Sequence, residues 1–301
     1  MREPVTSNVD LRTPDAPAPP PHPLRPAALL DLLSAATGGA SLPALPSDSY
    51  ARDHAEFEAR SSQRGLITAY LLGQLAHLGD GPLSVLSVGC GDGSVDVALA
   101  DALTADLPHR PVRYVGVDPF PASVTQFERR LSDLDRPSLE VHGLVATFDD
   151  ADLVGRFDVI TFVHSMYYVP GVAATLQAAY DLLAPGGVLL VLSAPRGDLN
   201  RLAGVLAPPL EGHRQWFSDD VSAGLEEAGL HAVETEALVA SVDLTDASDD
   251  VLEFTVQARL TEDLTSLVRA YLRAVAVPGP ALVLRHPVDA YRVAWAGSPA
   301  A

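Results

Sequence analysis

Lysine is missing from this 301-residue chain; all 20 Lys/Arg positions are arginine. Against 39 acidic residues they leave a formal net charge of −19. A surface so short of cations repels phosphate backbones, which argues against a nucleic-acid partner. Arginine without lysine, beside abundant alanine and proline, reads as GC-rich coding rather than a functional choice. Cysteine is nearly absent: Cys90 stands alone. One thiol makes neither an intrachain disulfide nor a structural zinc site, so a cytoplasmic protein is expected. No apolar run approaches the ~20 residues of a membrane span, and no membrane partner is expected. Residues 27–36 resemble a signal-peptide core, but they follow a proline-rich leader and carry Asp31. Metal-ligand spacing is also lacking. Asp149, Asp150 and Asp152 do not form a loop of the calcium type and read instead as caps for the next segment.

What is present is apolar mass: 48% hydrophobic residues and a mean hydropathy of +0.16, enough for a real core. Residues 1–26 are proline-rich and include Pro19-Pro20-Pro21, so residues 1–49 are read as a flexible tail holding one short helix over 27–36. A single helix is expected from Arg52 to His77, within a lid segment of residues 50–80. After Gly81-Pro82 the rhythm becomes strand–helix alternation. Strands are expected at 83–88, 112–117, 139–142, 157–163 and 188–193. Helices are expected at 94–107, 122–134 and 172–183, with Ala184-Pro-Gly-Gly187 as a turn. Such alternation, with strands apolar on both sides, implies a doubly wound α/β fold with a mostly parallel sheet. Beyond it come a helix at 219–229 capped by Ser218, a strand at 232–242, two helices at 247–260 and 262–274, and a final strand within 281–295.

The chemistry concentrates where the first strand ends. Val85-Leu-Ser-Val-Gly-Cys-Gly-Asp-Gly-Ser94 runs a buried strand into Gly89-x-Gly91-x-Gly93 and then a helix. Glycines turn the backbone sharply and let a ligand approach it, and a helix N-terminus offers free N–H groups. Alone, this signal fits NAD, FAD or S-adenosylmethionine (SAM). The spacing is tighter than the G-x-G-x-x-G of dinucleotide binders and suits a ligand without pyrophosphate. Asp118 closes the next strand in Val115-Gly-Val-Asp118, where an acid accepts ribose hydroxyls; its structural alternative is a helix cap before Pro119. A third segment runs Phe157-Asp-Val-Ile-Thr-Phe-Val-His-Ser-Met-Tyr-Tyr168, followed by Leu182-Leu-Ala-Pro-Gly-Gly-Val-Leu189.

In this order the three segments resemble the class I SAM-dependent methyltransferases. The resemblance implies a seven-stranded sheet with an antiparallel last strand, and SAM as cofactor. It implies cofactor contacts at Gly89, Cys90, Gly91, Gly93, Asp118, Pro119, Ser123, Thr147, Phe148, Val163 and His164. The methyltransferase domain would span 81–301, with a helical insertion near 245–275. A narrower likeness is to histamine N-methyltransferase and its bacterial relatives. It is carried by Leu86–Asp96, Val117-Asp-Pro119, Met166-Tyr-Tyr-Val169, Ser218-Asp-Asp220 and Ser241-Val-Asp-Leu244. That family uses a glutamate on its N-terminal helix for the substrate ammonium. Gln63 falls there and supplies no charge. A glutamine on strand four becomes His164, and an asparagine near the C-terminus falls at His286–Pro287. Histamine is therefore disfavoured as substrate.

The reading that follows is methyl transfer to a nitrogen or oxygen of a small metabolite, in secondary metabolism. His164 is the candidate general base, with a purely orienting histidine weighed equally. Tyr167, Tyr168 and His286 are candidate substrate contacts, against core packing for the tyrosines and surface exposure for the histidine. Arg60 and Arg64, at i and i+4 on the expected lid helix that also carries Gln63, would share a face and clamp an acidic substrate, or else simply be solvated. Alternatives are a peptide- or protein-modifying methyltransferase, which wants an open groove near Arg60–Arg64, and a non-catalytic SAM-fold ligand-binding protein. An NAD oxidoreductase would want looser glycine spacing.

Overall fold

The computed structural model describes residues 24–38, 42–75, 78–79, 81–105, 109–208 and 215–296; the proline-rich stretch over 1–23 lies outside them. Five strands come first: β1 (Leu83–Val88), β2 (Val112–Asp118), β3 (Leu139–Val145), β4 (Phe157–Val163) and β5 (Leu183–Ser193). Later come β6 (Glu234–Leu238), β7 (Ser241–Asp243), β8 (Val283–Arg285) and β9 (Val288–Ala294). The main sheet has the order β3-β2-β1-β4-β5-β9-β6. β1 to β5 pair in parallel, and β9 runs antiparallel between β5 and β6. The expected doubly wound fold, seven strands with one reversed, is the observed one.

Alternate side chains of the central strands leave the sheet on opposite faces and are buried on both. Val85, Tyr114, Val159 and Leu190 pack with Ile67, Leu71, Leu99, Leu103 and Phe127 of α3 (Gln63–Leu75), α4 (Asp96–Ala105) and α5 (Pro121–Ser132). Leu86, Val115, Ile160 and Leu189 pack with Leu176, Val221 and Leu225 of α6 (Val172–Asp181) and α8 (Ser218–Glu227). A third core is mostly helical, with Val242 of β7 and Leu284 of β8 added to it. It joins α1 (Pro26–Thr37), α2 (Ser47–Ala59), α7 (Asp198–Leu206), α9 (Asp249–Val256) and α10 (Glu262–Val275). Helix α1 buries Leu29 and Leu33 in this lobe instead of trailing with the tail. The turn η1 (Met166–Tyr168) follows β4.

Several expected elements break, each for a local reason. The single helix over 52–77 is two helices, because Ser61 and Ser62 leave helical bonding to pair with β7: Ser62 N–H donates to the Ser241 carbonyl at 2.9 Å, and Ser61 bridges Val242. The strand over 232–242 splits between the main sheet and a two-stranded ribbon of β7 and β8. The final strand splits at His286–Pro287, where proline brings no N–H to a ladder. The Ala184–Gly187 turn is an irregularity inside β5, where pairing jumps from Phe157–Leu183 to Val159–Val188. Helix α7 has no counterpart in the sequence reading. Ser218 is the first helical residue and donates its hydroxyl to Asp289 at 2.6 Å; Asp220 accepts the Phe217 N–H at 2.9 Å and caps the end. The Asp150 carboxylate, expected as a cap, instead takes the Thr147 hydroxyl at 2.8 Å.

Gly116 on β2 and Gly73 on α3 make opposite predictions. A Cβ at Gly116 would lie 2.6 Å from the Phe127 ring and 2.9 Å from the Cys90 sulfur. Gly116→Ala should cost about 1–3 kcal/mol by overpacking. A Cβ at Gly73 meets nothing within 4 Å, so Gly73→Ala should stabilise by about 0.5–1 kcal/mol through helix propensity. Urea midpoints of the two variants should move in opposite directions.

Candidate active site

Strand order reverses between β1 and β4, and in open α/β sheets the crevice at the carboxyl ends of such strands is where ligands bind. The three loop glycines sit there with φ of +69° (Gly89), +54° (Gly91) and +74° (Gly93), the left-handed region that favours glycine. They differ in what surrounds them. A Cβ at Gly89 would strike the Ser165 Cβ at 2.3 Å, and one at Gly93 would press on Phe127 at 3.0 Å. At Gly91 nothing lies within 4 Å. The loop is thus packed at both ends and open in the middle.

Asp118, 7% exposed, anchors that opening. Its Oδ2 accepts the Gly91 N–H at 3.1 Å and its Oδ1 the Phe120 N–H at 2.9 Å. Each carboxylate oxygen keeps acceptor capacity for a further donor. Asp118 is not the N-cap weighed as its alternative, since Phe120 holds that position and α5 starts at Pro121; its carboxylate is able to hold a diol. The peptide N–H groups of Gly89 and Cys90 both donate to the Val117 carbonyl, at 2.8 and 3.1 Å, so β2 fixes the loop at two levels. Pro119 and Phe120 are exposed beside it, Phe120 at 67%, and Ser123 is half-buried in the first turn of α5. Phe148 packs edge-on against Phe162, ring centroids 5.6 Å apart, while neighbouring Thr147 is exposed.

Cys90 is buried, and burial, with Asp96 and Asp118 nearby, pushes its thiol well above the ordinary range; no thiolate is available. Asp92 holds the Ser94 N–H at 3.1 Å and the Arg130 guanidinium at 2.8 Å. Burial raises the Asp92 carboxyl, but these bonds and Arg64 outweigh it and the net shift is downward.

The candidate substrate residues gather around His164, which follows β4 with φ +52°. Its Nδ1 lies 2.6 Å from the Tyr167 hydroxyl and its Nε2 2.8 Å from Gln63 Oε1. The Ala194 N–H donates to the Tyr167 hydroxyl at 2.9 Å. The Gln63 amide donates to the His286 carbonyl at 2.8 Å and the Pro287 carbonyl at 3.3 Å, and His286 Nδ1 meets the Ser61 hydroxyl at 2.8 Å. The structure thus brings Gln63, His164, Tyr167 and His286 into one network across α3, η1, the end of β5 and the β8–β9 turn. Burial pulls His164 down to about 4, with His286 and His54 adding like charge, and burial alone takes His286 to about 4. Burial pushes the Tyr167 hydroxyl far up. Both histidines are neutral at pH 7. Half-buried Val163 ends β4 beside this network, and Tyr168 is 63% exposed.

Arg60 and Arg64 do not share a helix face, because the chain breaks between them. Arg60 pairs with Glu56 at 3.0 Å, Arg64 with Glu58. Neither is a free clamp. Sequence reading assigned no role in the site to α2, where Tyr50, His54 and Phe57 pack with Phe254 of α9, ring centroids 5.3–5.4 Å apart. Their i, i+4, i+7 spacing was the available signal, hidden because a lone aromatic stripe reads as core.

The profile of a family described as a methyltransferase domain matches residues 49–235, more than half of the chain. The chain belongs to this family, as a class I SAM-dependent methyltransferase. Among curated relatives, a ubiquinone biosynthesis O-methyltransferase of Psychrobacter arcticus is 31% identical over 136 residues, 44% of this chain and 48% of the relative. A histamine N-methyltransferase of Mus musculus is 24% identical over 195 residues, 60% of this chain and 66% of the relative. A highly reducing polyketide synthase of Strobilurus tenacellus is 31% identical over 139 residues, 44% of this chain but 4% of the synthase. The chain thus spans about half the length of the O-methyltransferase and a small fraction of the synthase. The YcgJ protein of Bacillus subtilis shares the fold at TM-score 0.53 and 14% identity, covering 77% of this chain and 98% of that one. No helix among the described residues is long and apolar enough to cross a membrane, and none of their side chains form a metal-binding cluster.

Beneath the loop, Asp96 yields a pH prediction. It is buried and takes the Tyr114 hydroxyl at 2.9 Å. Burial raises its carboxyl from 3.8 to about 6, although Ser87 and Tyr114 pull downward. A carboxyl raised on folding contributes stability below its unfolded value and loses it as pH climbs through the folded value. Asp96→Asn should therefore gain on the parent chain as pH rises from about 4 to 7, read as a widening melting-temperature difference.

Proposed function

We propose that this protein transfers the methyl group of SAM to a nitrogen or oxygen of a small metabolite, in the cytoplasm and in secondary metabolism. The observation that carries the reading is the opening at Gly91 backed by the Asp118 carboxylate. It fits an adenosyl ligand with a diol and no pyrophosphate. Gly89, Cys90, Gly91 and Gly93 would back the methionine portion and Asp118 would accept the ribose hydroxyls. Pro119, Ser123, Thr147 and Phe148 would border the adenosine, and Val163 and His164 the reacting centre. SAM, when bound, supplies a methyl carbon activated by its sulfonium. The residues of this chain then have to align an acceptor in line and exclude water.

A small acceptor is supported over a peptide by the bonds that close the end of β4. Gln63 at the start of α3 is hydrogen-bonded to His164, and the α2 aromatics are packed on α9. Arg60 and Arg64 are paired with Glu56 and Glu58 and do not form the open basic groove that an acidic peptide would want there. The stretch shared with a polyketide synthase supports a place in natural-product assembly.

Thermal shift tests the cofactor half. S-adenosylhomocysteine (SAH) should raise the melting temperature and NAD should not. Asp118→Ala should weaken SAH binding by about tenfold or more, since each lost bond to a charged acceptor is worth about 1.5–3 kcal/mol; an unchanged shift would contradict the assignment. Pooled metabolites incubated with isotope-labelled SAM and read by mass spectrometry test the acceptor half. Label appearing only in added peptides would overturn the small-molecule reading.

A further inference from the structure

The hydrogen-bond chain through His164 has a direction fixed at its Gln63 end. The Tyr167 oxygen accepts the Ala194 N–H and keeps a second lone pair, so the sense of its bond to His164 Nδ1 is set from the imidazole side. At the Gln63 end the carbonyls of His286 and Pro287 can only accept. They take the Gln63 NH2, which turns Gln63 Oε1 toward His164 Nε2. An amide oxygen cannot donate, so His164 Nε2 must carry the hydrogen. Each ring nitrogen is used, and the lone pair a base needs is already filled by Tyr167.

We propose that His164 is a positioning residue held as the neutral Nε2–H tautomer, a strut tying lid helix α3 to the ends of β4 and β5, and that it takes no proton from the substrate. The backbone supports this. A histidine at φ +52° sits in the left-handed region that L side chains adopt rarely, and persists there because its surroundings fix it. The titratable groups acting on the ring are Tyr167 from η1, His286 from the β8–β9 turn and His54 from α2; none is a carboxylate that would favour an imidazolium.

Resting on the methyltransferase reading, the acceptor class follows. With no base at the strand tip, the attacking atom arrives with its lone pair free: an amine neutral at the working pH, or a hydroxyl acidic enough to be ionised, such as a phenol or enol. The lone pair forms the new bond to the methyl carbon as the carbon–sulfur bond breaks and its electron pair stays on sulfur. A neutral amine ends as an ammonium that sheds its proton to water, and an oxyanion ends as a neutral ether.

Histidine-ring 15N spectra of the full chain, assigned to His164 through its backbone, test the strut without any substrate. A single neutral Nε2–H species should persist from pH 8 down to about 5. An Nδ1–H species, a tautomer average, or an imidazolium above pH about 6 would overturn the proposal. Gln63→Glu keeps an acceptor for Nε2–H but adds a charge, and should raise the His164 midpoint by about one unit or more; an unmoved midpoint would also overturn it. SAH calorimetry on the same samples separates the two readings, because failure to bind removes the methyltransferase assignment and leaves the tautomer untouched. Once acceptors are found, two of different acidity should give kcat/KM profiles that each follow the acceptor's own pKa. A limb at one fixed pH for both, lost in His164→Gln, would return the proton to the imidazole.

Discussion

The Asp118 carboxylate is the constraint on which the site depends. A carboxylate has two oxygens and about four acceptor directions. Here one oxygen holds the glycine loop through Gly91 and the other holds the start of α5 through Phe120. Two elements that also meet through Asp92–Arg130 are thus pinned to one side chain at the end of β2. The loop needs such a pin, because three glycines with positive φ are cheap to bend in many ways. Val117 adds a second pin through its carbonyl, and Ser165 closes the Gly89 side by donating to the Val88 carbonyl at 2.6 Å. What remains open is the space in front of Gly91, the part of the loop a ligand can reach.

The same logic separates two kinds of charge in the crevice. Carboxylates gather at the glycine loop, where Asp92 and Asp118 are satisfied by backbone N–H groups and, at Asp92, by Arg130. On the lid side, Gln63, His164, Tyr167 and His286 are neutral and bonded to one another. A positively charged sulfonium suits the first environment. The second offers no full charge to an acceptor, consistent with a glutamine standing where the histamine enzymes carry a glutamate.

The sheet and its switch point were legible because their signals are local: apolar runs, glycines at fixed spacing and an acid at a strand end. Gly91 and Asp118 were found by such spacing alone. The lid was not legible, because its breaks have tertiary causes. Ser61 and Ser62 leave the helix to pair with Ser241 and Val242, about 180 positions later in sequence. Helical periodicity carries no trace of that pairing, so Arg60 and Arg64 seemed to share a face. Likewise, Gln63 and His286 were found one at a time through family correspondence, while the bond that unites them through the His286 carbonyl is invisible to any motif.

Pro287 shows how one such break produces the site. An uninterrupted strand through residues 283–294 would run its carbonyls into ladders. Proline brings no N–H, so β8 joins the ribbon with β7 while β9 continues in the main sheet. At the corner, the carbonyls of His286 and Pro287 face Gln63 and accept its amide. That orients the carboxamide, which sets the tautomer of His164, which in turn settles where the Tyr167 proton lies. A backbone irregularity late in the sequence thereby decides whether the His164 imidazole has a free lone pair, and under the proposed function the acceptor chemistry follows from that decision.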